Sequence, residues 1–575
     1  MEKESFGNFL FVLHTHLPYV VTHGKWPHGS DWLNEAAAET YIPILNILGE
    51  LLDEGYHPKL SMGISPVLAE QLADPVFKDS FVHYLDEKIS AAKKDETYFQ
   101  TNGDTHLKQT AKFWIDWYSA RRDDFVHKYN SDLISAFRKL LESGVLDIMT
   151  CGATHGYFPL LSQDSSIDAQ VKVAIATHKR HFGVKPRGIW LPECAYRPRY
   201  KWKPPVKVQG LAAEYERQGV EEILAENGIE YFVIDSAMLL GGKPIGVYLE
   251  RFGGLKKIWE QHEKQISIRE EEFEKSVYDL YLVDSPDSKV SPSVAVFTRD
   301  PKTSLQVWSG DYGYPGDGAY LEFHKKHHLS GHRYWRVTHS DADLADKLKY
   351  EPENIEDKLE SHSSHFVDIV TETLKENYAK TKTTGVLTSP FDTELFGHWW
   401  FEGPRFLKKV LMKLEKSAHI NLTNAATELD MRQPDKVVQL PEGSWGEGGH
   451  HFIWLNENTS WTWKNIYQNE ILFKQTVQKY ITSADDKMQF LLTQAARELL
   501  LLQASDWQFL ISTQAAKNYA EERFSNHDSD FNRLLKTAIT YADTGIIPDA
   551  DWEYANECLE RNVIFPEIDL KIWLK

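Results

Sequence analysis

Cysteine, long apolar segments and basic charge are all scarce in this sequence. The three cysteines, Cys151, Cys194 and Cys558, are an odd number at wide spacing, so we expect neither a disulfide framework nor a structural zinc cage. No stretch approaches the roughly 20 apolar residues that a membrane-spanning helix needs. The charged N-terminus, MEKESFGNFL, lacks the apolar core that secretory signals carry. Together these absences favour a reduced, cytoplasmic protein.

Acidic residues outnumber basic ones by 84 to 64, which gives a net charge of -20. Binding to nucleic-acid phosphates or to anionic membranes requires a basic surface. We therefore predict no nucleic-acid partner and no membrane partner. The length of 575 residues predicts more than one domain.

Tryptophan, by contrast, is abundant, with 18 residues, many of them in polar, glycine-rich segments. Two explanations are open. The indoles belong to large aromatic cores, or they form flat platforms for a ligand with apolar faces and polar edges, such as a sugar ring.

Seven short apolar segments in the first four hundred residues predict strands, and amphipathic segments between them predict helices. The strand segments are GNFLFVLHTH, KLSMGIS, VLDIMTCGATH, RGIWLPE, IEYFVIDS, SVAVFTRD and TGVLTSPFD. The helical segments include DWLNEAAAETYIPILNILGELLDEG, SIDAQVKVAIATHKRHFG, EYERQGVEEILAENG and FVDIVTETLKENYAKTK. This alternation implies a parallel sheet, and the number of repeats favours a closed or nearly closed α/β barrel over an open sheet.

Two further patterns define the expected domains. Charged residues with weak periodicity predict a surface insertion or lid around 241–291. Beyond about residue 405 the strand pattern ends, and PRFLKKVLMKLEKS and NIYQNEILFKQTVQKYITS predict helices. We therefore expect a catalytic barrel over 1–400, including the insertion, and a helical domain over 401–575.

Chemically reactive side chains follow five of the predicted strands. They are His14 and His16, His155, Glu193, Asp235 and Asp392. Because active sites of α/β barrels lie where the carboxyl ends of the strands meet the following loops, we expect these residues to converge on one mouth.

The histidine pair in FVLHTH allows two chemistries. His14 and His16 are candidates to bind a catalytic zinc ion together with His155 and Asp235, as in metal-dependent hydrolases. Alternatively, neutral imidazoles are suited to hydrogen-bond sugar hydroxyls. A hydrogen-bonded core histidine is a third explanation for each.

Glu193 and Asp392 each follow an apolar strand in an aromatic, proline-containing turn. A carboxylate in such a place often caps a turn. Cleavage of a glycosidic bond, however, requires such a pair, with one acid held protonated by apolar surroundings. Trp399 and Trp400 are candidates to provide these surroundings for Asp392.

Two glycine-rich aromatic loops suggest where a glycan would lie. EGSWGEGGHHFIWLNENTSWTW contains Trp445, Trp454, Trp461 and Trp463, and RDPKTSLQVWSGDYGYPGDGAY begins at Arg299 and contains Trp308 and Tyr314. They either pack between domains or cover a glycan cleft, and we favour the second for the first loop.

Taken together, these segments resemble glycoside hydrolase family 57 and, within it, the 1,4-α-glucan branching enzymes. The resemblance runs in order through HTHLPYV, GATHGYFPL, GIWLPECAY, SPFDTELFGHWWFEGP, EGSWGEGGHHFIWLN and SDWQFLIST, almost the whole chain. It implies an incomplete (β/α)7 barrel with a small inserted helical unit and a C-terminal helical domain that completes the cleft. It also implies a retaining double displacement on α-glucan, without metal or other cofactor.

The resemblance also implies roles for individual residues. Glu193 matches the nucleophile and Asp392 the general acid/base, and His14, His16 and His155 match histidines that line the donor sugar subsite. The matched substrate contacts are Arg299, Gly316, Trp445, Asp506 and Gln514. The matched aromatics that guide the glucan chain are Trp308, Trp445 and Trp454. We add Trp399 to the expected substrate-binding residues. Tyr248 is the candidate for a loop tyrosine that shields the glycosyl intermediate from water.

Alternatives remain open. An α-amylase or 4-α-glucanotransferase of the same family would use the same chemistry. A metal-dependent hydrolase using His14 and His16 would lose activity with a chelator, and a catalytically silent glycan-binding protein would need neither carboxylate. The oligomeric state, monomer or homodimer, does not follow from the sequence.

Overall fold

The predicted strands form one sheet. A computed structural model describes residues 5–241, 275–309, 313–339, 341–483 and 485–575. Its strands are β1 (Gly7–Thr15), β2 (Leu60–Ile64), β3 (Leu146–Cys151), β4 (Gly188–Trp190), β5 (Tyr200–Trp202), β6 (Tyr215–Arg217), β7 (Tyr231–Ile234), β8 (Tyr281–Val283), β9 (Ala295–Thr298), β10 (Gly385–Asp392), β11 (Ile420–Leu422) and β12 (Val437–Val438).

Seven parallel strands form the barrel, in the order β10-β1-β2-β3-β4-β7-β9. Beyond β9, Arg299 forms a parallel bridge to Thr388 in β10, and the Asp300 amide donates to the Thr388 carbonyl at 2.8 Å. The two ends of this strand order therefore meet at one point, and the sheet is an incomplete (β/α)7 barrel. All seven predicted barrel strands are confirmed.

Helices surround the sheet and continue after it. They are α1 (Ser30–Ala36), α2 (Ile42–Asp53), α3 (Pro66–Ala73), α4 (Pro75–Thr101), α5 (Thr105–Asp123), α6 (Leu133–Glu142), α7 (Asp164–Phe182), α8 (Val220–Glu226), α9 (Ser236–Leu240), α10 (Pro301–Trp308), α11 (Glu356–Thr381), α12 (Gly403–Glu415), α13 (Ala425–Met431), α14 (Ser460–Tyr480), α15 (Asp486–Leu502), α16 (Asp506–Thr513), α17 (Lys517–Thr544) and α18 (Asp549–Arg561). π-Helical turns span Ala37–Tyr41 and Asp124–Lys128. In the described ranges, no helix is long and apolar enough to cross a bilayer.

One predicted helix is only partly correct. The segment EYERQGVEEILAENG begins with β6, which pairs antiparallel with β5, and only its second half is helical, as α8. Arg217 explains the difference, because its buried guanidinium bonds Asp164 at 2.6 Å and lies 5.1 Å from the Trp202 ring. These tertiary contacts require an extended backbone at Arg217.

The predicted end of the strands near residue 405 is wrong. β11 pairs with β1, and β12 pairs with β8, so the sheet continues to Val438. Both strands are so short that they carry almost no periodic signal, and pairing with buried partners stabilises them instead.

The prediction of a surface insertion around 241–291 is only partly correct, because the part that the structure describes includes a strand of the sheet. Residues 242–274, including Tyr248, lie outside the described residues. The end of the stretch contains β8, which pairs antiparallel with β9 and buries Tyr281 and Val283. A helical pair, α4 and α5, is inserted between β2 and β3, and its two helices pack along their length.

The C-terminal helices α14 to α18 pack on one another and on the barrel mouth. The Ser505 amide donates to the His155 carbonyl at 3.1 Å, and Arg523 donates to the Tyr19 carbonyl at 2.7 Å. The start of α16 is thereby held against the loop after β3, and α17 is held against the loop after β1.

Gly397 tests how the loop after β10 packs on the first π-helical turn. Its φ is +126°, and a Cβ there would lie 1.9 Å from the Glu39 carbonyl oxygen in the first π-helical turn. We expect Gly397→Ala to lower the free energy of unfolding by more than about 3 kcal/mol, since backbone strain and overlap with backbone atoms add. Chemical denaturation measures the change.

Gly49→Ala is the matched control. Gly49 lies inside α2 with no atom within 4 Å of a built Cβ. The same change there should raise the free energy of unfolding by about 0.5–1 kcal/mol. Equal stabilities for the two variants would contradict the packing of Gly397 on Glu39.

Candidate active site

The carboxyl ends of the barrel strands β10, β1, β3 and β4 bring predicted reactive residues together. His14 in β1 is the register partner of Asp392 in β10. His155 follows β3, and Glu193 follows β4. The structure brings these residues together except for Asp235, and Asp506 joins them from the start of α16.

Glu193 is held by the loop that contains Trp445. Its φ is +60°, an unusual conformation for a residue with a side chain. The Trp445 indole Nε1 donates to Glu193 Oε2 at 2.8 Å, and the Trp445 amide donates to the Glu193 carbonyl at 3.1 Å. The other carboxylate oxygen, Oε1, lies 4.0 Å from His155 Nδ1, beyond hydrogen-bonding distance.

Burial dominates the acidity of both candidate catalytic carboxyls. It raises the pKa of Glu193 to about 7, against the opposing effect of the Trp445 hydrogen bond. Burial also raises the pKa of Asp392 well above its usual range, and the charges of Glu394 and Glu193 raise it further, while Arg299 opposes this. Asp392 therefore holds its proton more strongly than an ordinary aspartate does.

The three histidines form a stack on the other side of the site. His14 Nε2 and His155 Nε2 lie 3.1 Å apart, and burial lowers the pKa of both rings well below the usual value. The His16 ring stacks on His155 with centroids 3.9 Å apart. His16 Nε2 lies 3.1 Å from Asp506, and His155 Nδ1 lies 2.9 Å from the Ser505 hydroxyl.

The geometry of the His16, His155 and Asp506 donor set does not suit a catalytic metal. His14, Cys151 and His155 lie close together, as do His16, His155 and Asp506. However, the His16 and His155 rings are within 9° of parallel. Nitrogen lone pairs lie in the ring plane, so stacked rings direct them side by side instead of toward one point. Asp235 caps α9 and pairs with Arg299 at 3.2 Å, away from this set.

Aromatic rings form a wall beside Glu193. The Trp445 ring meets Trp190 edge-on at 5.0 Å and Trp308 edge-on at 5.7 Å. The Arg299 guanidinium lies 5.6 Å from the Trp308 ring. Trp308, Trp445 and Arg299 are therefore placed at the site, as expected.

Other expected substrate residues lie apart from this cluster. Trp454 is only 1% exposed and stacks on Tyr157 in the core. Trp399 is 40% exposed and packs on Phe323, and Gly316 ends a 3-10 turn that begins at Tyr314. Gln514 is exposed, and its amide donates to the carbonyl of Ile511 in its own helix.

The sequence analysis missed four participants. Ser65 lies 2.8 Å from His16 Nδ1, Ser505 contacts His155, and Trp190 stacks on His14 at 4.7 Å. Glu394 is buried, accepts from the Tyr41 hydroxyl at 2.7 Å and, through burial, has a pKa of about 7. The available signals were that Ser65 follows β2 and that Ser505 and Glu394 lie within two residues of predicted site residues.

Sequence comparison identifies the family. The pattern of glycosyl hydrolase family 57 matches residues 10–441, and that of the 1,4-alpha-glucan branching enzyme C-terminal region matches residues 465–573. The chain belongs to glycosyl hydrolase family 57. A 1,4-alpha-glucan branching enzyme of Thermococcus kodakarensis is 38% identical over 97% of this chain and 77% of that protein.

Two solved enzyme structures have the same fold. The branching enzyme of Pyrococcus horikoshii has a TM-score of 0.87 and 37% identity, covering 99% of this chain and 97% of its own. The α-amylase AmyC of Thermotoga maritima has a TM-score of 0.79 and 27% identity, covering 99% of both chains. The incomplete barrel and the C-terminal helical domain are thus common to enzymes of different named activities.

The stacked histidines lead to a prediction about metal. We expect purified protein to contain far less than one equivalent of zinc, and a chelator to leave the thermal unfolding midpoint unchanged, because both ring nitrogens of His16 and of His155 have protein partners. Elemental analysis and thermal unfolding with and without EDTA measure this. One equivalent of metal that disappears in His16→Ala would contradict it.

Proposed function

We propose that the protein is a 1,4-α-glucan branching enzyme, which cleaves an α-1,4 linkage with retention and transfers the chain to a C6 hydroxyl to form an α-1,6 branch. One observation carries the proposal. The C-terminal region that matches branching enzymes supplies Ser505 and Asp506 to the histidines of the barrel mouth. The family 57 barrel supplies the two carboxyls.

In the first half of the reaction, Glu193 attacks C1 of a glucose unit. The C1–Oε1 bond forms as the glycosidic bond breaks, and Asp392 transfers its proton to the departing oxygen. With a pKa of about 7, Glu193 has an ionised population at neutral pH that is able to attack, while burial and the neighbouring carboxylates raise the pKa of Asp392 and favour its protonated form. The environments of the two carboxyls thus separate their roles.

In the second half, an acceptor attacks the glycosyl-enzyme. Asp392, now ionised, removes the proton of the acceptor hydroxyl, and the electron pair of the C1–Oε1 bond returns to Glu193. A C6 hydroxyl gives a branch, whereas water gives hydrolysis. The expected shielding role of Tyr248 belongs to this step and stays a prediction.

The remaining site residues are assigned to glucan binding. His14 and His155, neutral through burial, are suited to hydrogen-bond sugar hydroxyls, with His16 and Asp506 beside them. Trp308 and Trp445 offer aromatic faces near Arg299. Gly316, Trp399, Trp454 and Gln514 lie apart from this cluster, and their substrate-binding roles stay predictions from the sequence.

The two sequence matches support a refined domain organisation. We infer a catalytic unit that reaches about residue 441, where the family 57 match ends just after β12, and a helical unit over the later match.

The partner is an α-glucan. The three free, buried cysteines are consistent with the proposed cytoplasmic location.

An α-amylase is the second candidate, because the Thermotoga maritima α-amylase has the same fold over the whole chain. Glu193 and Asp392 would serve either reaction, so the site does not separate the two activities. The product does.

The decisive test is the linkage formed on amylose. We expect new α-1,6 linkages, detected as shorter chains after isoamylase debranching. Glu193→Gln should abolish them, because a side-chain amide is a far weaker nucleophile than a carboxylate, and EDTA should not affect them. The control is Glu402→Gln, which changes a buried carboxylate held by the Tyr350 hydroxyl.

Each other outcome identifies a rival activity. Shorter linear chains without branches mean an amylase. Loss of activity with EDTA supports a metal-dependent hydrolase, and unchanged amylose means a glycan-binding protein.

The pH profile tests the two carboxyl roles. We expect kcat/KM to fall below about pH 7 as Glu193 gains a proton, and to fall at high pH as Asp392 loses one. In Glu394→Gln, loss of a neighbouring charge lowers the pKa of Asp392, so the alkaline limb should move to lower pH while the acid limb stays.

Glu402→Gln serves as the control here too, because Glu402 does not contribute to the raised pKa of Asp392. An alkaline limb that stays fixed in Glu394→Gln, or that moves equally in Glu402→Gln, would refute the assignment of this limb to Asp392.

A further inference from the structure

Trp445 makes two kinds of contact in the site, ring contacts with other aromatics and hydrogen bonds to Glu193. Its ring belongs to the aromatic wall, in edge contact with Trp190 and Trp308. Its two N–H groups, however, both bond Glu193: the indole donates to Oε2 at 2.8 Å, and the backbone amide donates to the carbonyl at 3.1 Å. A residue that only stacked on a sugar ring would not need the hydrogen bonds to Glu193.

The loop that carries Trp445 is anchored on both sides. Gly443 forms an antiparallel bridge with Tyr196, three residues beyond Glu193. Glu442 accepts from Tyr200 and lies 2.7 Å from His451 Nε2, while His451 Nδ1 lies 2.8 Å from the Tyr157 hydroxyl. The indole N–H is therefore fixed in position relative to the nucleophile before substrate binds.

We propose that Trp445 is a positioning residue for the nucleophile: its indole N–H holds Oε2, so that Oε1 is the oxygen that attacks C1. This deepens the proposed function and rests on it. Oε1 has no hydrogen-bonding partner among the described residues, since the nearest ring nitrogen, His155 Nδ1, is 4.0 Å away and lies 2.9 Å from Ser505.

The same N–H acts most strongly in the second half of the reaction. In the glycosyl-enzyme, Oε1 is bonded to C1 and Oε2 is an ester carbonyl oxygen. When the acceptor attacks, the C1–Oε1 electron pair returns to the carboxylate, and negative charge develops on Oε2. A hydrogen bond to a charged acceptor is stronger than one to a neutral carbonyl, so Trp445 favours this step.

Besides the indole of Trp445, several charged or titratable groups of other residues face Glu193. His16 and His155 approach from β1 and β3, Asp392 from β10, and Asp506 from α16. None of them is changed when the indole N–H is removed. A shift in the titration of Glu193 in such a variant therefore reports the lost hydrogen bond.

The test removes the N–H and keeps a ring. Trp445→Phe, and replacement of Trp445 by 3-benzothienylalanine, which matches the indole in size, are compared with wild type on maltooligosaccharides. We expect kcat to fall roughly tenfold to a hundredfold, the worth of one hydrogen bond to a charged group. The acid limb of kcat/KM should move to higher pH, and glycosyl-enzyme should accumulate in acid-quenched samples measured by mass spectrometry.

Trp308→Phe is the matched control, since Trp308 belongs to the same wall and has no hydrogen bond to Glu193 among those described. It should alter KM without moving the acid limb. If both Trp445 variants change only KM and leave the acid limb and the glycosyl-enzyme level unchanged, Trp445 is a sugar platform and the positioning role is refuted.

This outcome is distinct from failure of the proposed function. Branching and hydrolysis share the same glycosyl-enzyme, so the comparison is valid whichever product the wild type forms. A wild-type enzyme that forms neither product and no covalent adduct refutes the proposed function itself.

Discussion

The site depends on hydrogen bonds that cross between the barrel and the segments beyond it. His155 and Glu193 both adopt a left-handed backbone conformation, with φ near +60°. Such a conformation costs about 1–2 kcal/mol for each residue with a Cβ. The carbonyl of each one accepts an amide from outside the barrel, Ser505 for His155 and Trp445 for Glu193. The strained residues are therefore stabilised by the same elements that complete the site.

Desolvation, more than any single charge, determines how the carboxyls divide the chemistry. Burial is the largest influence on Glu193, Asp392 and Glu394, and it raises the pKa of all three. What distinguishes them is the hydrogen bonding. Glu193 accepts from an indole and Glu394 from the Tyr41 hydroxyl, whereas Asp392 faces the charges of both neighbours. Asp392 therefore holds its proton more strongly than an ordinary aspartate does.

The barrel and the two carboxyls could be predicted from the sequence because each depends on local patterns. Apolar strands such as β1 and β10 are continuous and end in polar residues, and helices such as α7 end at a glycine with positive φ, Gly183. The short strands β8, β11 and β12 could not, because pairing with distant strands stabilises them. Nor could the burial of Trp454 or the contact of Ser505 with His155, which depend on packing between segments far apart in the chain.

Enzymes named as a branching enzyme and as an α-amylase share this fold, so the fold alone does not decide the outcome of the reaction. A tenfold change in the ratio of transfer to hydrolysis requires only about 1.4 kcal/mol between the two second-step barriers. One aromatic contact to an acceptor sugar, or one ordered water excluded, is of that size. Under the proposed function, the cleavage chemistry therefore belongs to the two carboxyls at the strand ends, while a small energetic difference at the surfaces that meet the acceptor is enough to decide between transfer and hydrolysis.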